Sequence, residues 1–283
     1  MKKVGGFIRL MRPINSAMMG FAVFVGAVLA KPQPCNFDWL SILYGFFTGL
    51  MLTAASMALN DYYDRDIDAI NEPARPIPSG LVRPGQALAF SFILSLIGFV
   101  LSYLISILCL AVALAAWMIM MAYVTVGKRS GLPGNLLVSA CVSIPFIYGS
   151  IISIGYVPLN VMLFTLMAFL SNTGREITKG IVDVKGDRAE GVKTLAVRYG
   201  EKIAAVSAAV LYLLSVSLTP LPWLLGIVSL WFIPFVLIAD AGFIVSSILL
   251  LRDYTRENAR KIKKLVLLWF IFGFLAFIFG VSG

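Results

Sequence analysis

Histidine is missing altogether from this 283-residue chain, cysteine occurs only three times, and charged residues make up 13% of it. Without histidine the protein has no imidazole for general acid–base catalysis and cannot form an ordinary histidine-ligated zinc site. Cys35, Cys109 and Cys141 show no paired spacing, which argues against a disulfide framework or a cysteine metal motif. The shortage of charge also excludes an ordinary soluble domain, in which about a quarter of the residues are charged.

Apolar residues make up 60% of the chain, and its mean hydropathy is +0.92. Stretches of about 20 apolar residues can cross a bilayer as helices. The sequence therefore predicts an all-α, polytopic membrane protein, built as a single domain over residues 1–283. Nine transmembrane helices are predicted, at 14–30, 39–59, 86–104, 105–125, 133–154, 157–175, 201–219, 225–250 and 264–282.

The basic residues indicate how these helices are oriented. Of the 23 Lys and Arg residues, all but Lys31 fall on one side of a nine-helix arrangement. Because basic loops stay in the cytoplasm, that side is predicted to be cytoplasmic. The net charge of +9 is thus mainly a topology signal, and we expect no nucleic-acid partner.

An acidic cluster follows the second predicted span. If that helix continues past Asn60, four oxygen-bearing side chains share one face: Asn60, Asp61, Asp64 and Asp68. Like charges at this spacing repel, so the face favours a bound cation, and hard oxygen ligands favour Mg²⁺. The alternative is a solvated acidic loop end. Asp66 points to another face, and Arg65 is either a partner for its neighbours or a phosphate contact.

The stretch after this cluster, residues 71–80, is dense in proline and turn-forming residues. Such a sequence cannot continue a helix, and we expect it to fold over the cytoplasmic mouth as a lid, with Arg75 as a phosphate contact. A plain connector to the next helix is the alternative.

A second acidic cluster lies where the sixth predicted helix runs into the cytoplasm. Asp183 and Asp187 are one helical turn apart, and Glu176 and Lys179 precede them on the same face. An ordinary ion pair between Lys179 and Asp183 is the alternative to a binding site. Two similar four-helix halves that face each other would bring both clusters together, and Mg²⁺ could then bridge a diphosphate.

The segment NDYYDRDIDAINEPARPIPSG resembles the first aspartate-rich motif of the intramembrane UbiA-type prenyltransferase superfamily, and Asp183 and Asp187 match its DxxxD motif. The stretches at 9–15, 131–135 and 174–179 look most like the branch of archaeal digeranylgeranylglyceryl phosphate synthases. Gly180 departs from that branch, which usually has an acidic residue there. The resemblance implies a central cavity and Mg²⁺-dependent transfer of a geranylgeranyl group from geranylgeranyl diphosphate to geranylgeranylglyceryl phosphate, which forms the second ether bond of archaeal membrane lipids.

The resemblance also implies roles for individual residues. It implies metal ligation by Asn60, Asp64, Asp68, Asp183 and Asp187, of which the four aspartates are the catalytic carboxylates. The shared helical face adds Asp61 as a further expected metal ligand. The expected diphosphate and substrate contacts are Asn60, Arg65, Arg75, Lys128, Arg175, Glu176 and Lys179. The implied partners are a prenyl diphosphate, a lipid-like acceptor and membrane lipids, with no obligate protein partner, at a cytoplasm-facing site in the cell membrane.

Two other functions remain open from the sequence. A quinone-type aromatic prenyltransferase would share both motifs and differ in its acceptor. A membrane transporter would place ionisable residues at the bilayer midplane, whereas here Asp240 is the isolated example within a predicted span. A phosphate-bearing acceptor would need cations, for which Arg12, Lys128, Arg129, Arg175 and Lys179 are available.

Overall fold

The computed structural model describes residues 2–31, 37–189 and 191–280, and within them every regular element is helical. These residues divide into two compact units: 2–27, 37–125 and 145–156 form the first, and 28–31, 126–144, 157–189 and 191–280 form the second. The all-α prediction is confirmed. Cys35 and residues 281–282 of the last predicted span lie outside the described residues.

The first unit contains α1 (Lys2–Met11), most of α2 (Pro13–Ala30), α3 (Trp39–Tyr63), α4 (Arg65–Asn71), α5 (Pro84–Ile105), α6 (Ile107–Thr125) and the C-terminal part of α7 (Leu132–Ile154). Helix α3 packs on α5 and α6. A side chain at Gly149 would overlap the carbonyl of Val23, and one at Gly26 would overlap that of Phe146. These glycines let α2 and α7 approach closely, as small residues do in membranes.

The second unit contains the N-terminal part of α7, then α8 (Leu159–Ala189), α9 (Leu195–Tyr199), α10 (Glu201–Leu218), α11 (Pro220–Leu224), α12 (Phe232–Arg252) and α13 (Arg256–Gly280). Helix α8 packs on α10 and α13, and α12 packs on α10 and α13. Tyr212 is completely buried at the centre of this unit, and its hydroxyl lies 2.9 Å from that of Thr178.

Eight helical segments of the described chain are long and apolar enough to cross a membrane, which makes this a multi-pass membrane protein. They match eight of the predicted spans. The predicted span at 157–175 falls on α8, which has 31 residues but lies outside this group because Asn160, Asn172 and Arg175 lower its hydropathy. The count of nine crossings therefore stays a prediction.

Two boundaries differ from expectation. The span predicted from residue 225 begins as a helix only at Phe232, since Gly226 adopts a φ of +66° that ends the preceding helix. A ten-residue helix, α1, precedes the first predicted span and is separated from it by Arg12. Pro13 favours this break because it begins α2 at a position where no backbone N–H is needed.

Candidate functional site

The first acidic cluster lies where α3 ends. Helix α3 stops at Tyr63 and α4 starts at Arg65, but Asp64 N–H still donates to Asn60 O at 2.9 Å. Asp68 N–H likewise donates to Asp64 O at 2.8 Å. The helical register therefore passes through the break, and Asn60, Asp64 and Asp68 keep the one-turn spacing that the sequence predicts. The Asn60 amide donates to Asp64 Oδ2 at 2.9 Å.

The carboxylates of this cluster are withdrawn from solvent. Asp61, Asp64 and Asp68 are 3%, 8% and 5% exposed. Arg12 Nη2 donates to Asp61 Oδ1 at 2.7 Å, and Arg75 Nη1 lies 3.5 Å from the same oxygen. Arg75 Nη1 also donates to Asp68 Oδ2 at 2.6 Å, so one guanidinium nitrogen bridges two buried carboxylates. Buried charges need such partners, because an unpaired charge there is strongly destabilising.

Arg12 reaches this cluster from a strained position. Its φ of +45° lies in the left-handed region, which costs a non-glycine residue about 1 kcal/mol. Arg12 is also the hinge between α1 and α2, and Ser16 N–H donates to its carbonyl at 3.1 Å. The left-handed turn is thus coupled to a short ion pair with a buried aspartate.

The loop after α4 is compact and attached to α1. Arg9 Nη2 donates to Ala74 O at 2.8 Å, and Val82 N–H donates to Pro76 O at 3.0 Å. Leu10 and Ile77 share a buried apolar cluster with Val82. The predicted lid is therefore folded against the N-terminal helix within the first unit.

The two neighbours Arg65 and Asp66 lie apart from the buried carboxylates. The Asp66 side chain is 86% exposed, in agreement with its predicted orientation away from the cluster. Arg65 donates to Tyr62 O at 3.0 Å, lies 4.8 Å from the Tyr62 ring and 3.8 Å from Asp66. Of the two interpretations of Arg65, these contacts favour the neighbour-pairing one.

The second cluster lies on one uninterrupted helix. Helix α8 continues to Ala189, so Asp183 and Asp187 are one turn apart on its surface, each half-buried. Glu176 pairs with Arg175 Nη1 at 3.0 Å and with Lys179 Nζ at 3.5 Å. The Arg175 Nε–H is buried and has no hydrogen-bond partner among the described residues, which leaves a guanidinium donor for an anion.

Lys128 lies in a short 3₁₀ turn, Gly127–Arg129, that belongs to the second unit, as α8 does. Lys193 N–H donates to Arg129 O at 3.3 Å, and a side chain at Gly131 would overlap Lys193 O. Val192 N–H donates to Asp187 O at 2.8 Å. The exposed Lys128 is therefore held in a loop that is attached to the end of the second motif.

Gly180 is not required by close packing, because a Cβ there would lie 3.5 Å from Thr194 Cβ, an ordinary contact. Asp240 accepts a hydrogen bond from Thr219 at 2.7 Å, which gives this intramembrane carboxyl a structural partner. Sequence reasoning missed both that bond and the pairing of Asp61 with Arg12. The only sequence signal for the latter was a basic residue before a proline at the entrance of a span.

Within the described residues, no three Asp, Glu or Cys side chains converge closely enough to form a metal site by themselves. Mg²⁺, however, is usually held by one or two protein carboxylates together with substrate phosphates and water. Asp64 and Asp68 supply hard oxygen donors on adjacent turns, and Asp183 and Asp187 supply them on α8. The donor set of each motif therefore fits a Mg²⁺ ion that arrives with a diphosphate.

The sequence profile of the UbiA prenyltransferase family matches residues 19–279. A digeranylgeranylglyceryl phosphate synthase of Methanothermobacter thermautotrophicus is 34% identical over 97% of this chain and 95% of its own length. A solved digeranylgeranylglyceryl phosphate synthase structure superposes with a TM-score of 0.88 at 32% identity, covering 100% of this chain and 99% of the other. A UbiA homologue of Archaeoglobus fulgidus, solved with GPP and Mg²⁺, shares the fold with a TM-score of 0.71 at 17% identity, over 98% of this chain and 100% of that one. On sequence, length and fold together, this chain belongs to the UbiA prenyltransferase family.

Proposed function

We propose that this protein transfers a geranylgeranyl group from geranylgeranyl diphosphate to the free hydroxyl of geranylgeranylglyceryl phosphate, at the cytoplasmic face of the membrane. The observation that carries the proposal is the likeness to a solved digeranylgeranylglyceryl phosphate synthase over the whole chain, at 32% identity and a TM-score of 0.88. The allylic carbon–oxygen bond of the diphosphate breaks, diphosphate leaves, and the acceptor oxygen bonds to that carbon and loses its proton.

Each motif is proposed to supply carboxylate ligands for Mg²⁺ that arrives with the diphosphate. Asp64 and Asp68 act from the first motif, with Asn60 orienting Asp64 through its 2.9 Å hydrogen bond. Asp183 and Asp187 act from α8. When bound, Mg²⁺ neutralises charge on the diphosphate as it leaves. The A. fulgidus homologue, whose structure was solved with GPP and Mg²⁺ bound, supports the choice of this ion.

Asp61 is left out of the proposed metal ligands, although its place on the shared acidic face predicts it. Its Oδ1 already accepts from Arg12 and lies near Arg75. Arg65 is left out of the diphosphate contacts for a similar reason, because Tyr62 and Asp66 hold its guanidinium. Arg75 remains the proposed phosphate contact of the first unit.

The acceptor phosphate is proposed to bind cations of the second unit. A phosphate dianion beside hydrocarbon must be paired, because burying it alone is strongly unfavourable. Arg175 has a buried Nε–H without a hydrogen-bond partner among the described residues. Lys128 lies in the 3₁₀ turn, and Lys179 pairs with Glu176, which also pairs with Arg175. Glu176 holds two cations in place and is therefore a positioning residue for the acceptor.

The function is tested with purified protein in detergent, geranylgeranyl diphosphate, Mg²⁺ and a panel of acceptors, with products identified by mass spectrometry. We expect the diether phosphate from geranylgeranylglyceryl phosphate and none in excess chelator. Efficient prenylation of 4-hydroxybenzoate with no product from the glyceryl phosphate would replace this proposal with a quinone-type prenyltransferase. Product formed at the full rate in chelator would exclude the metal role.

Substitution of the carboxylates and the cations separates their roles. We expect Asp64→Ala and Asp183→Ala to lower kcat by about a hundredfold or more, because each removes charge stabilisation of the leaving group. Asp66→Asn changes an exposed carboxylate of the same motif and serves as the control.

Lys128→Gln and Arg175→Gln should raise KM for geranylgeranylglyceryl phosphate more than KM for geranylgeranyl diphosphate. Equal increases of both KM values would contradict the assignment of the acceptor phosphate.

A further inference from the structure

The first motif contains an ion pair that competes with metal binding for one carboxylate. Arg75 Nη1 donates to Asp68 Oδ2 at 2.6 Å and so occupies one of the lone-pair sites through which this carboxylate could bind a cation. A Mg²⁺ ion sits about 2.1 Å from its oxygen ligands, so an ion on the same oxygen would lie no more than about 4.7 Å from Arg75 Nη1. Two cations at that distance repel strongly in a buried site. Metal ligation by Asp68 and the Arg75–Asp68 ion pair therefore compete.

A second anchor keeps Arg75 beside the motif after that contact breaks. The same Nη1 atom lies 3.5 Å from Asp61 Oδ1. Asp61 is 3% exposed, and Arg12 fixes its orientation through the 2.7 Å hydrogen bond. Arg12 itself is held at a φ of +45°, a conformation that persists only where surrounding contacts enforce it. Asp61 thus has a fixed position. When the Arg75 guanidinium moves a short distance away from Asp68, it stays near Asp61.

We propose that Arg75 is an exchangeable counter-charge: it neutralises Asp68 in the metal-free protein and moves to the diphosphate when Mg²⁺ binds Asp68. Asp61 and Arg12 are positioning residues that hold the guanidinium beside the motif in both states. The exchange makes metal and diphosphate bind together, because metal alone must displace Arg75 without giving it a new anion. The inference rests on the proposed function, since it assumes that this motif binds Mg²⁺ with a prenyl diphosphate.

Metal affinity without substrate tests the competition. Mn²⁺ binding to the purified protein is measured by electron paramagnetic resonance, without diphosphate, for wild type, Arg75→Gln, Arg75→Lys and Arg83→Gln. Loss of a competing charge-assisted hydrogen bond should tighten Mn²⁺ binding by about tenfold in Arg75→Gln. Arg75→Lys keeps the charge and should stay near wild type. Arg83→Gln removes one charge from an exposed residue of the same loop, and should change the affinity by less than about threefold.

Equal Mn²⁺ affinity in Arg75→Gln and wild type, or no binding by either, overturns the exchange. So does an equal gain in Arg83→Gln, which would indicate a general charge effect. Wild-type protein that still forms product in the acceptor assay leaves the proposed function standing in each of these cases. A failure of the proposed exchange can therefore be distinguished from a failure of the proposed function.

The role of Asp61 is tested by stoichiometry and a double-mutant cycle. If Asp61 only positions Arg75, Asp61→Asn binds as many Mn²⁺ ions at saturation as wild type, and KM for geranylgeranyl diphosphate rises more than kcat falls. The effect of Arg75→Gln on that KM should then largely disappear in the Asp61→Asn background. Asp66→Asn is the matched control with the same chemical change at an exposed site. One ion fewer at saturation, or additive effects on KM, would return Asp61 to the metal ligands.

Discussion

Gly174 and Gly186 lie on the same helix, α8, in opposite surroundings. A Cβ at Gly174 would lie 2.8 Å from the ring of the buried Tyr212, whereas a Cβ at Gly186 would meet nothing within 4 Å. We expect Gly174→Ala to destabilise the protein by about 1–3 kcal/mol through overpacking. Gly186→Ala should instead stabilise it by about 0.5–1 kcal/mol, because alanine is the better helix former. Thermal unfolding in detergent measures both, and a loss of stability of the same size in both variants would contradict this packing.

The sequence predicts which residues share a helical face, because helical periodicity controls their spacing. The spacing of Asn60, Asp64 and Asp68 follows from 3.6 residues per turn, and the structure keeps it through hydrogen bonds of 2.9 Å and 2.8 Å. The ion pair of Asp61 with Arg12 joins residues 49 positions apart. No periodicity relates such positions, because the pair depends on how α1, α2 and α3 pack.

Helix α1 is one of the elements that hold the lid. Arg9 donates to Ala74 O at 2.8 Å, and this is a direct bond from α1 to the loop. Arg9→Gln should loosen residues 72–80 and make subtilisin cleave there several times faster, because cleavage follows the population of the open loop. Arg252→Gln, at an exposed residue of the second unit, is the control. Unchanged cleavage of the loop in Arg9→Gln would show that the apolar contacts of Leu10 and the ion pairs of Arg75 hold it without this bond.

The helices that the sequence identified are those with long apolar runs. Helix α1 was missed because ten residues with three basic side chains do not form an apolar run, and its buried face is defined by tertiary contacts with α3, α5 and the loop after α4. The polar residues of α8 have the opposite effect: the helix exists over the predicted span, but its hydropathy is too low to mark it as a crossing. Local composition predicts helices well and their environment less well.

The membrane class of the protein follows from its composition, since 60% apolar residues exclude an ordinary soluble fold. The family follows from two motifs that lie more than a hundred residues apart, in different compact units. The acceptor does not follow from either, because both motifs are proposed to serve the diphosphate, and a quinone-type prenyltransferase would share them. The cations Lys128 and Arg175 are where acceptor choice is expected to be expressed.

The membrane topology depends on whether α8 is a ninth crossing. All basic residues except Lys31 fall on one side only if α8 spans the bilayer. In a background without Cys35, Cys109 and Cys141, single cysteines are placed at Ser79, Tyr156 and Tyr199, all exposed in the structure. An impermeant thiol reagent applied to intact cells should label only the cysteine at 156, between α7 and α8. Labelling at 79 would contradict the cytoplasmic lid. Equal accessibility of 156 and 199 would show that α8 does not cross.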